Sequence, residues 1–381
     1  MRMGAPSKSR PLKLAIYMHD LAGGGVERMK MDLIRNFQRG GAEVTLLLHS
    51  GAGDLQQLLP DGLDIVAFNT RRTFADLAPL VRYLRRERPD VLLSSLGHNN
   101  VIALLAKAAS WSRTKVVICQ HNALSSEAMA AGGWTYRIIP WLYRALAPLA
   151  GGLVTVSGGV ADDLARVCGI ARDRITVVYN PVIGEDFGRK LRGRVDHPWF
   201  SDGGPLPFVS AGRLVEQKDH ETLLRAFALY LKRAPGRLVI LGTGPRRAAL
   251  ETLAAELGIS EQVWFAGFQE NPIPYVREAA AFVLSSRYEG FGNVIVEALG
   301  CGTPVISTDC PFGPGEILEA GRYGRLVPPG DAEALAAALD PALTKIWPPD
   351  MLRARAAEYS GERSADAYRA LFKQVLEREI A

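Results

Sequence analysis

The 381-residue sequence has only four cysteines, Cys119, Cys168, Cys301 and Cys310, and no C-x-x-C pair. Such sparse thiols exclude a disulfide framework and a cysteine-rich zinc site, so we expect reduced thiols in a cytoplasmic protein. No run reaches the ~20 apolar residues that a membrane-spanning helix needs. The polar segment 1–10 is not followed by an apolar stretch, so no signal peptide is expected. These absences predict a soluble or peripheral protein.

Two sequence motifs are also missing. There is no D-x-D, so a metal ion held by carboxylates at a diphosphate has no support, and no metal or other cofactor is predicted. No G-x-G-x-x-G follows the first apolar run, which disfavours an NAD-dependent dehydrogenase. No aromatic–basic stripe or known motif indicates nucleic acid binding.

The formal net charge of +5 is unevenly distributed. Residues 1–181 carry 22 Lys and Arg against 14 Asp and Glu, whereas the remainder carries 23 against 26. The basic half suggests an anionic partner, either a membrane surface or a phosphorylated acceptor. Ordinary solvated charge would give the same asymmetry.

Short β-branched apolar runs alternate with helical patterns along the whole chain. Such alternation predicts an α/β fold made of parallel sheets with helices on both faces, and the series restarts after residue 206. We therefore expect two Rossmann-like domains facing a central cleft, because ligands of such sheets bind at the carboxyl ends of the strands. The predicted segments are a first domain 1–182, a linker 183–206, a second domain 207–361, and a C-terminal helix 362–381 that packs back on the first domain.

Two loops of the second half follow predicted strands directly. In Ser210–Asp219, Arg213 and Lys218 would project into the cleft and suit a diphosphate, and a solvated loop pair is the alternative. In Leu241–Pro245, Gly242 and Gly244 would let the backbone approach a ligand, although a tight strand–helix turn needs the same residues.

The segment Ser286–Leu299 carries the strongest signal. Glu289 lies in a glycine-rich loop, and Glu297 stands about two turns along the following helix, so both carboxylates can face one cleft. Carboxylates accept hydrogen bonds from sugar hydroxyls, and the loop amides can bind phosphate. A helix-dipole effect would explain Glu289 but not Glu297.

These elements together resemble the retaining glycosyltransferases of family 4, which have the GT-B fold. The resemblance rests on Arg213 with Lys218, then Glu289-x7-Glu297 followed by Ala-Leu-Gly-Cys-Gly-Thr-Pro-Val, and it extends along nearly the whole chain. It implies an enzyme that moves a hexose or N-acetylhexosamine from a nucleoside-diphosphate sugar, with a UDP-sugar favoured, to a glycan or lipid-linked acceptor.

The resemblance also implies roles for residues of the second half. Arg213 and Lys218 would hold the donor diphosphate, and Glu297 would bind the ribose. Glu289 would hold the sugar and phosphate together with the backbone of its loop, namely Gly290, Phe291, Gly292 and Asn293. Gly267 and Phe268 would flank the base.

In the first half, Gly24 and Gly25 of the Gly23–Glu27 turn would approach the donor. His121, in Gln-His-Asn after a predicted strand, matches a family histidine near the reacting sugar, although a strand-end histidine satisfied by backbone is the alternative. With Arg213, Lys218 and Glu289 it completes the predicted catalytic set. His19 ends the first predicted strand and faces the same cleft.

The segment Thr308–Ile317 resembles a subset of bacterial members that extend polyprenyl-diphosphate-linked oligosaccharides or surface polysaccharides. The resemblance places Glu316 of this segment near the donor. Members of the subset usually have an arginine directly before this glutamate, whereas this chain has Gly315.

The segment 131–145 mixes aromatic and basic side chains in a way that suits a lipid headgroup interface. We expect it to attach the protein peripherally to an anionic membrane, on the inner face of the cell membrane, and to serve a lipid-linked acceptor. An aromatic helix buried against the domain is the alternative. The residues concerned are Trp134, Tyr136, Arg137, Trp141 and Arg144.

Two other functions fit the same fold. A nucleotide-sugar epimerase would use the same donor without an acceptor, and a non-catalytic nucleotide-sugar sensor would bind it without turnover. The complete set of Arg213, Lys218, Glu289 and Glu297 argues against the sensor. The residues leave the donor sugar, its linkage to the acceptor and the oligomeric state open.

Overall fold

The computed structural model describes residues 10–21, 25–51, 53, 59–131, 134–340 and 343–378, with the side chains of 25–28, 129–137 and 344 left out. The described residues form two α/β domains, each built on one parallel sheet. The predicted pair of Rossmann-like domains is confirmed.

The first domain has a seven-stranded sheet in the order β3-β2-β1-β4-β5-β6-β7. Its strands are β1 (Lys13–Met18), β2 (Glu43–Leu48), β3 (Asp64–Ala67), β4 (Val91–Ser95), β5 (Lys115–Gln120), β6 (Gly152–Thr155) and β7 (Ile175–Val177). Its helices are α1 (Gly25–Arg39), α2 (Leu77–Glu87), α3 (Gly97–Ser110), α4 (Leu124–Ala131), α5 (Trp134–Leu146) and α6 (Gly158–Cys168).

The second domain has a six-stranded sheet in the order β10-β9-β8-β11-β12-β13. Its strands are β8 (Phe208–Ala211), β9 (Leu238–Leu241), β10 (Val263–Gly267), β11 (Ala281–Leu284), β12 (Val305–Thr308) and β13 (Arg325–Val327). The remaining helices are α7 (Phe187–Lys190), α8 (His220–Leu231), α9 (Arg247–Glu256), α10 (Ile273–Arg277), α11 (Asn293–Cys301), α12 (Pro314–Ile317), α13 (Ala332–Ala338), α14 (Pro349–Ala356) and α15 (Gly361–Glu377).

The central strands are apolar on both faces, as strands covered by helices on both sides must be. Every residue of β4, β9 and β11 is buried. In each sheet the strand order reverses at one point, between β1 and β4 in the first and between β8 and β11 in the second. A crevice opens at such a reversal, on the carboxyl side of the strands, and is where open α/β sheets bind ligands.

The chain returns to the first domain at its C-terminal end. The backbone N–H of Val182 donates to the carbonyl of Tyr359, and Ser360 caps the N-terminus of α15 through the Arg363 N–H. Helix α15 then packs on α1, with the Phe37 ring 5.7 Å from the Phe372 ring. The two domains are therefore joined by both the linker and this returning helix.

No helix within the described residues is both long enough and apolar enough to cross a membrane. The four cysteines are free and buried.

Phe372→Ala is expected to lower the free energy of unfolding by about 3–5 kcal/mol, because it removes a buried ring and leaves a cavity between α15 and α1. Urea unfolding followed by circular dichroism measures the change. Lys373→Ala on the exposed face of the same helix is the control, and its unfolding midpoint should match that of the wild type. An equal loss of stability in both variants would mean that the contact between Phe372 and Phe37 does not stabilise the packing of α15 on α1.

Candidate active site

The reversal point of the second sheet brings together the loops that follow β8 and β11. Lys218 ends a short 3-10 turn after β8, and Glu289 lies in the loop after β11. The Lys218 Nζ donates to Glu289 Oε1 at 2.5 Å, and Ser286 Oγ donates to the same oxygen at 2.6 Å. Glu289 is only 8% exposed. A buried carboxylate thus receives two donors at the position where the fold places a ligand.

Polar contacts from neighbouring residues hold these two loops together. Ser285 Oγ donates to the Lys218 carbonyl at 2.8 Å, and Gln217 Nε2 donates to the Tyr288 carbonyl at 3.0 Å. Sequence reasoning did not single out Gln217, Ser285 or Ser286. The Ser-Ser pair directly after β11 is the signal that could have found two of them, because such hydroxyls at a strand end commonly bond neighbouring loops.

Arg213 is exposed and forms no ion pair within the described part of the chain. It lies close enough to Tyr288 to affect that residue's ionisation. Loss of solvent and then the charges of Glu216 and Glu289 raise the pKa of Tyr288, and Arg213 opposes the rise. Arg213 therefore stands beside the residue that precedes Glu289, with its guanidinium available to a ligand.

The glycines after β9 allow two loops to pack backbone against backbone. A Cβ on Gly242 would lie 2.0 Å from the Gly212 carbonyl oxygen, and one on Gly244 would lie 2.4 Å from the Leu214 carbonyl oxygen. These close backbone contacts are enough to explain why both positions are glycine, without any contact to a ligand. They also hold the Gly212–Leu214 stretch that carries Arg213.

Phe268 follows β10 at the same sheet edge and is 67% exposed. The preceding Gly267 has φ +71°, and its carbonyl accepts from the Gly242 N–H at 2.7 Å. The exposed ring is free to stack on a planar group such as a base.

Gly290 is the point at which the second domain touches the first. A Cβ there would lie 2.0 Å from the His121 carbonyl oxygen, and Ser157 Oγ donates to the Gly290 carbonyl at 2.9 Å. Gly292 has φ +100° where α11 begins, and the Asn293 Oδ1 accepts from Asn180 Nδ2 at 3.0 Å. The loop predicted to bind the donor therefore also forms the domain contact.

The side chain of Phe291 packs away from that contact. Its buried ring lies 5.7 Å from the Tyr179 ring and 5.4 Å from the Tyr359 ring. A direct role of Phe291 toward a ligand is thus limited to its backbone.

Glu316 contacts the first domain. Its two carboxylate oxygens accept from the Gly158 N–H at 2.9 and 3.1 Å, and Tyr179 donates its hydroxyl to Oε1 at 2.6 Å. Gly158 begins α6, so the carboxylate satisfies a helix N-terminus of the other domain. The structure assigns Glu316 to this domain contact, whereas the sequence comparison placed it near the donor.

Glu297 is the fifth residue of α11, about one turn from its start, and is half-buried. Its charge acts on the thiol of Cys301, whose pKa is raised to about 12 by burial first and by Glu297 second. No group of three or more His, Cys, Asp or Glu side chains among the described residues could hold a metal ion.

The His121 side chain is only 7% exposed, and the His121 carbonyl faces Gly290 of the second domain. Its Nε2 lies 3.6 Å from Cys119 Sγ, and its Nδ1 is buried without a hydrogen-bond partner among the described residues. Burial, and then the charge of Lys30, lower the pKa of His121 well below its usual range, so the ring is neutral at pH 7. Lys30, itself 3% exposed and 5.9 Å from the Tyr368 ring, was not recognised from the sequence.

Some predicted residues lie outside the described part of the chain. These are Gly24 and the side chains of Trp134, Tyr136 and Arg137; Gly25 begins α1. In the described part of α5, Ile139 and Tyr143 are buried, whereas Trp141 is 70% exposed. A Cβ on Gly169, at the end of α6, would lie 3.4 Å from the Arg144 guanidinium.

Comparison with known proteins identifies the family. Residues 196–362 match the profile of glycosyl transferases group 1, and residues 23–183 match that of glycosyltransferase family 4. The lipopolysaccharide core biosynthesis glycosyltransferase LpsE of Rhizobium meliloti (strain 1021) is 30% identical over 370 residues, which cover 92% of this chain and 96% of LpsE. The chain is a family 4 glycosyltransferase.

Two further proteins place this glycosyltransferase among its relatives. An N-acetylgalactosamine-N,N'-diacetylbacillosaminyl-diphospho-undecaprenol 4-alpha-N-acetylgalactosaminyltransferase of Campylobacter jejuni is 31% identical over 232 residues, 61% of each chain. The crystal structure of Anabaena Alr3699/HepE in complex with UDP-glucose superposes with a TM-score of 0.73 at 20% identity, covering 97% of this chain and 99% of that one. The latter likeness concerns the GT-B fold.

Gly290→Ala is expected to destabilise this glycosyltransferase by about 1–3 kcal/mol, because the new methyl group would overlap the His121 carbonyl. The urea midpoint measures the loss. Gly188→Ala is the control, since a Cβ there meets no atom within 4 Å. An unchanged midpoint for Gly290→Ala would show that the domains are farther apart in solution.

The lowered pKa of His121 predicts a pH dependence of stability. Below the unfolded-state pKa of about 6.5 the unfolded chain takes up a proton that folded His121 does not, so stability falls as the pH falls from 6.5 toward the folded-state pKa. His121→Gln should lower the slope of the free energy of unfolding against pH by up to about 1.4 kcal/mol per pH unit, which is the slope for one proton.

Chemical denaturation at a series of pH values between 5 and 8 measures both slopes. The two proteins should have parallel profiles above pH 7, where neither state carries the extra proton. Equal slopes below pH 6.5 would contradict a neutral buried His121.

Proposed function

We propose that this glycosyltransferase moves a hexose or N-acetylhexosamine from a nucleoside-diphosphate sugar, with a UDP-sugar favoured, to a glycan acceptor in bacterial polysaccharide or lipopolysaccharide assembly. The anomeric configuration is retained, and the acceptor is a polyprenyl-diphosphate-linked glycan. The observation that carries the proposal is the buried Lys218–Glu289 contact at the reversal point of the second sheet, with Arg213 exposed beside it.

The donor diphosphate binds to the two cations. An ammonium group has three N–H donors, so Lys218 can keep Glu289 as a partner and still donate to a phosphate oxygen. Arg213 offers a planar fork of donors that suits a phosphate. Their charges stabilise the diphosphate as it leaves, which makes a metal ion unnecessary. Glu289 and the following loop amides then contact the sugar.

The chemistry proposed here uses no carboxylate base. Glu289 Oε1 accepts hydrogen bonds from Lys218 and Ser286, and we assign Glu289 a binding role. The acceptor hydroxyl oxygen instead bonds to the anomeric carbon on the face from which the diphosphate departs. The carbon–oxygen bond to the phosphate breaks, and the departing phosphate oxygen takes the hydroxyl proton. Retention is the result.

The relatives support the choice of substrates. LpsE is named for lipopolysaccharide core biosynthesis, the Campylobacter enzyme for an undecaprenyl-diphosphate-linked glycan, and the HepE crystal contains UDP-glucose. The nearest alternative, an epimerase, would convert the nucleotide sugar into its epimer without any acceptor.

Lys218→Ala is expected to lower kcat by about 100- to 1,000-fold, since it removes one group that stabilises the leaving diphosphate. A panel of UDP- and GDP-sugars screened by thermal shift selects the donor, and release of nucleoside diphosphate with and without a polyprenyl-diphosphate-linked N-acetylhexosamine measures turnover. Lys232→Ala, an exposed lysine after α8, is the control.

Near-normal turnover of a folded Lys218→Ala variant would refute the role of Lys218. Formation of an epimeric nucleotide sugar without acceptor would favour the epimerase. The anomeric configuration of the product, read by proton NMR, tests retention, and activity is expected to survive EDTA.

We further propose that α5 attaches the enzyme peripherally to an anionic membrane. Trp141 and Ile138 are exposed apolar residues on this helix, 70% and 40% accessible, while Tyr143 anchors its other face by donating to Gln120 Oε1 at 2.9 Å. An indole at a headgroup interface gains both apolar contact and a hydrogen bond.

Trp141→Ala is expected to reduce flotation with phosphatidylglycerol-containing vesicles at low salt, because it removes the largest exposed ring among the described side chains of α5. Trp111→Ala, which removes a tryptophan 90% exposed after α3, is the control and should float as the wild type does. Failure of the wild-type protein to float would contradict the proposal.

A further inference from the structure

Three histidines meet at the reversal point of the first sheet. His19 follows β1, His49 follows β2, and His98 lies in the first turn of α3, directly after β4. The rings of His19 and His49 stack with centroids 4.6 Å apart and planes 13° apart, and His98 meets His19 edge-on at 5.6 Å. We call these residues the histidine cluster. It occupies the crevice where such a sheet binds its ligand.

A buried carboxylate fixes the orientation of His49. Both oxygens of Asp76, which is fully buried, lie 3.0 Å from His49 Nδ1. Asp76 also accepts from the Tyr17 hydroxyl and from Thr70 Oγ1, each at 2.6 Å. Burial, together with Asp76, raises the pKa of Tyr17, so the phenol keeps its proton and donates. Asp76 is therefore an acceptor, His49 donates from Nδ1, and the other nitrogen, Nε2, remains for a ligand.

The cluster has polar atoms without partners. His19 Nδ1 is buried and has no hydrogen-bond partner among the described residues, and the same holds for the side chains of Ser94 and Asn99 at the end of β4 and the start of α3. Ser94 and Asn99 are fully buried. Buried polar atoms of this kind are normally hydrogen-bonded, so this edge of the sheet is suited to a polar ligand.

The surrounding charges select the class of ligand. His19 Nε2 lies 4.0 Å from the Asp20 carboxylate, and Asp76 stands behind His49. Loss of solvent, then His19 and His49, lower the pKa of His98, so this ring is neutral at pH 7. Two carboxylates beside the uncharged ring of His98 disfavour the binding of a phosphate. No three of these groups have metal-binding geometry within the described residues.

A neutral sugar fits these requirements. An uncharged imidazole presents one N–H donor and one nitrogen acceptor, and a hydroxyl group needs both. The partly exposed face of His19 offers an aromatic surface to the C–H face of a pyranose. The cluster also lies on the same sheet edge as His121, two strands away or about 10 Å. His121 in turn touches the donor loop at Gly290.

We propose that His19, His49 and His98 form the subsite for the terminal sugar of the acceptor, which rests on the proposed glycosyltransfer. His49 hydrogen-bonds a sugar hydroxyl through Nε2, His19 stacks on the sugar ring, and His98 borders it. Asp76 and Tyr17 are positioning residues, because they act through His49.

Imidazole NMR tests the subsite without knowledge of the natural acceptor. The chain has six histidines, so the Cε1–Hε1 resonances can be assigned with single-residue variants. The full-length protein is titrated with methyl α-glucoside, methyl α-galactoside and methyl N-acetyl-α-glucosaminide, and separately with inorganic phosphate. At least one glycoside should shift the His19 and His98 resonances. The His197 resonance, whose ring stacks on Trp264 at 3.8 Å in the second domain, should not move.

Variants separate this proposal from the donor site. His19→Ala and His98→Ala should weaken glycoside binding by about tenfold or more, whereas His197→Ala should not. Asp76→Asn should weaken it and shift the His49 resonance. All four variants should show the same rise in melting temperature on addition of UDP as the wild type. Loss of the UDP response in the wild type would sink the proposed function and leave the glycoside result standing. Shifts with phosphate alone, or none with any glycoside in a folded protein that responds to UDP, would overturn the subsite.

Discussion

The contact between Gly290 and the His121 carbonyl limits how closely the two domains approach, and the geometry of the cleft depends on it. Any side chain at residue 290 would overlap that carbonyl, since a Cβ would lie 2.0 Å away. Several hydrogen bonds hold the domains at this distance: Ser157 to the Gly290 carbonyl, Asn180 to Asn293, and both Tyr179 and the Gly158 N–H to Glu316. A neutral bond of this kind contributes about 0.5–1.5 kcal/mol net and a bond to a charged group about 1.5–3 kcal/mol. The overlap at Gly290 therefore sets the closest approach of the domains, and these bonds oppose their separation.

The charges of the second domain suit a ligand that arrives with charges of its own. An ammonium group that is only 17% exposed, as Lys218 is, would be costly to leave unpaired, and Glu289 offsets that cost before a ligand binds. The pair is nearly neutral by itself, so in the proposed reaction the exposed Arg213 would supply the first attraction for a diphosphate. If phosphate oxygens reached Lys218, the ligand would supply part of the negative charge opposite the ammonium. Glu289 could then bond sugar hydroxyls, and the same acid would serve the site before and after the donor binds.

Sequence patterns predicted the features that a short stretch of residues determines by itself. Alternating apolar runs and helical patterns were enough for two parallel sheets, and loops after strands were enough to find Lys218 and Glu289. Edge strand β3 (Asp64–Ala67) was missed because three of its four residues are exposed and no buried apolar run marks it. The contact of Glu316 with Gly158 was not predicted, because Gly158 lies 158 residues earlier in the chain and is brought near only by domain packing. The histidine cluster was not recognised for the same reason, since the strand order β2-β1-β4 decides which strand ends are neighbours.

Different functional groups lie at the reversal points of the two sheets. The difference raises the question of where the positive charge of residues 1–181 lies. The second sheet offers cations and an acid, whereas the first offers three imidazole rings backed by Asp76 and Asp20. Among the described residues of the first half, part of the positive charge lies away from the cleft. Helix α2 begins beside Asp76 at the carboxyl edge of the sheet, so its last turn, with the exposed Arg85 and Arg86, extends toward the opposite edge. An anionic partner attracted by these arginines would meet the outer surface of the domain and would not compete with the donor for the cleft. Substrate chemistry and surface attachment can thus be separated on one domain.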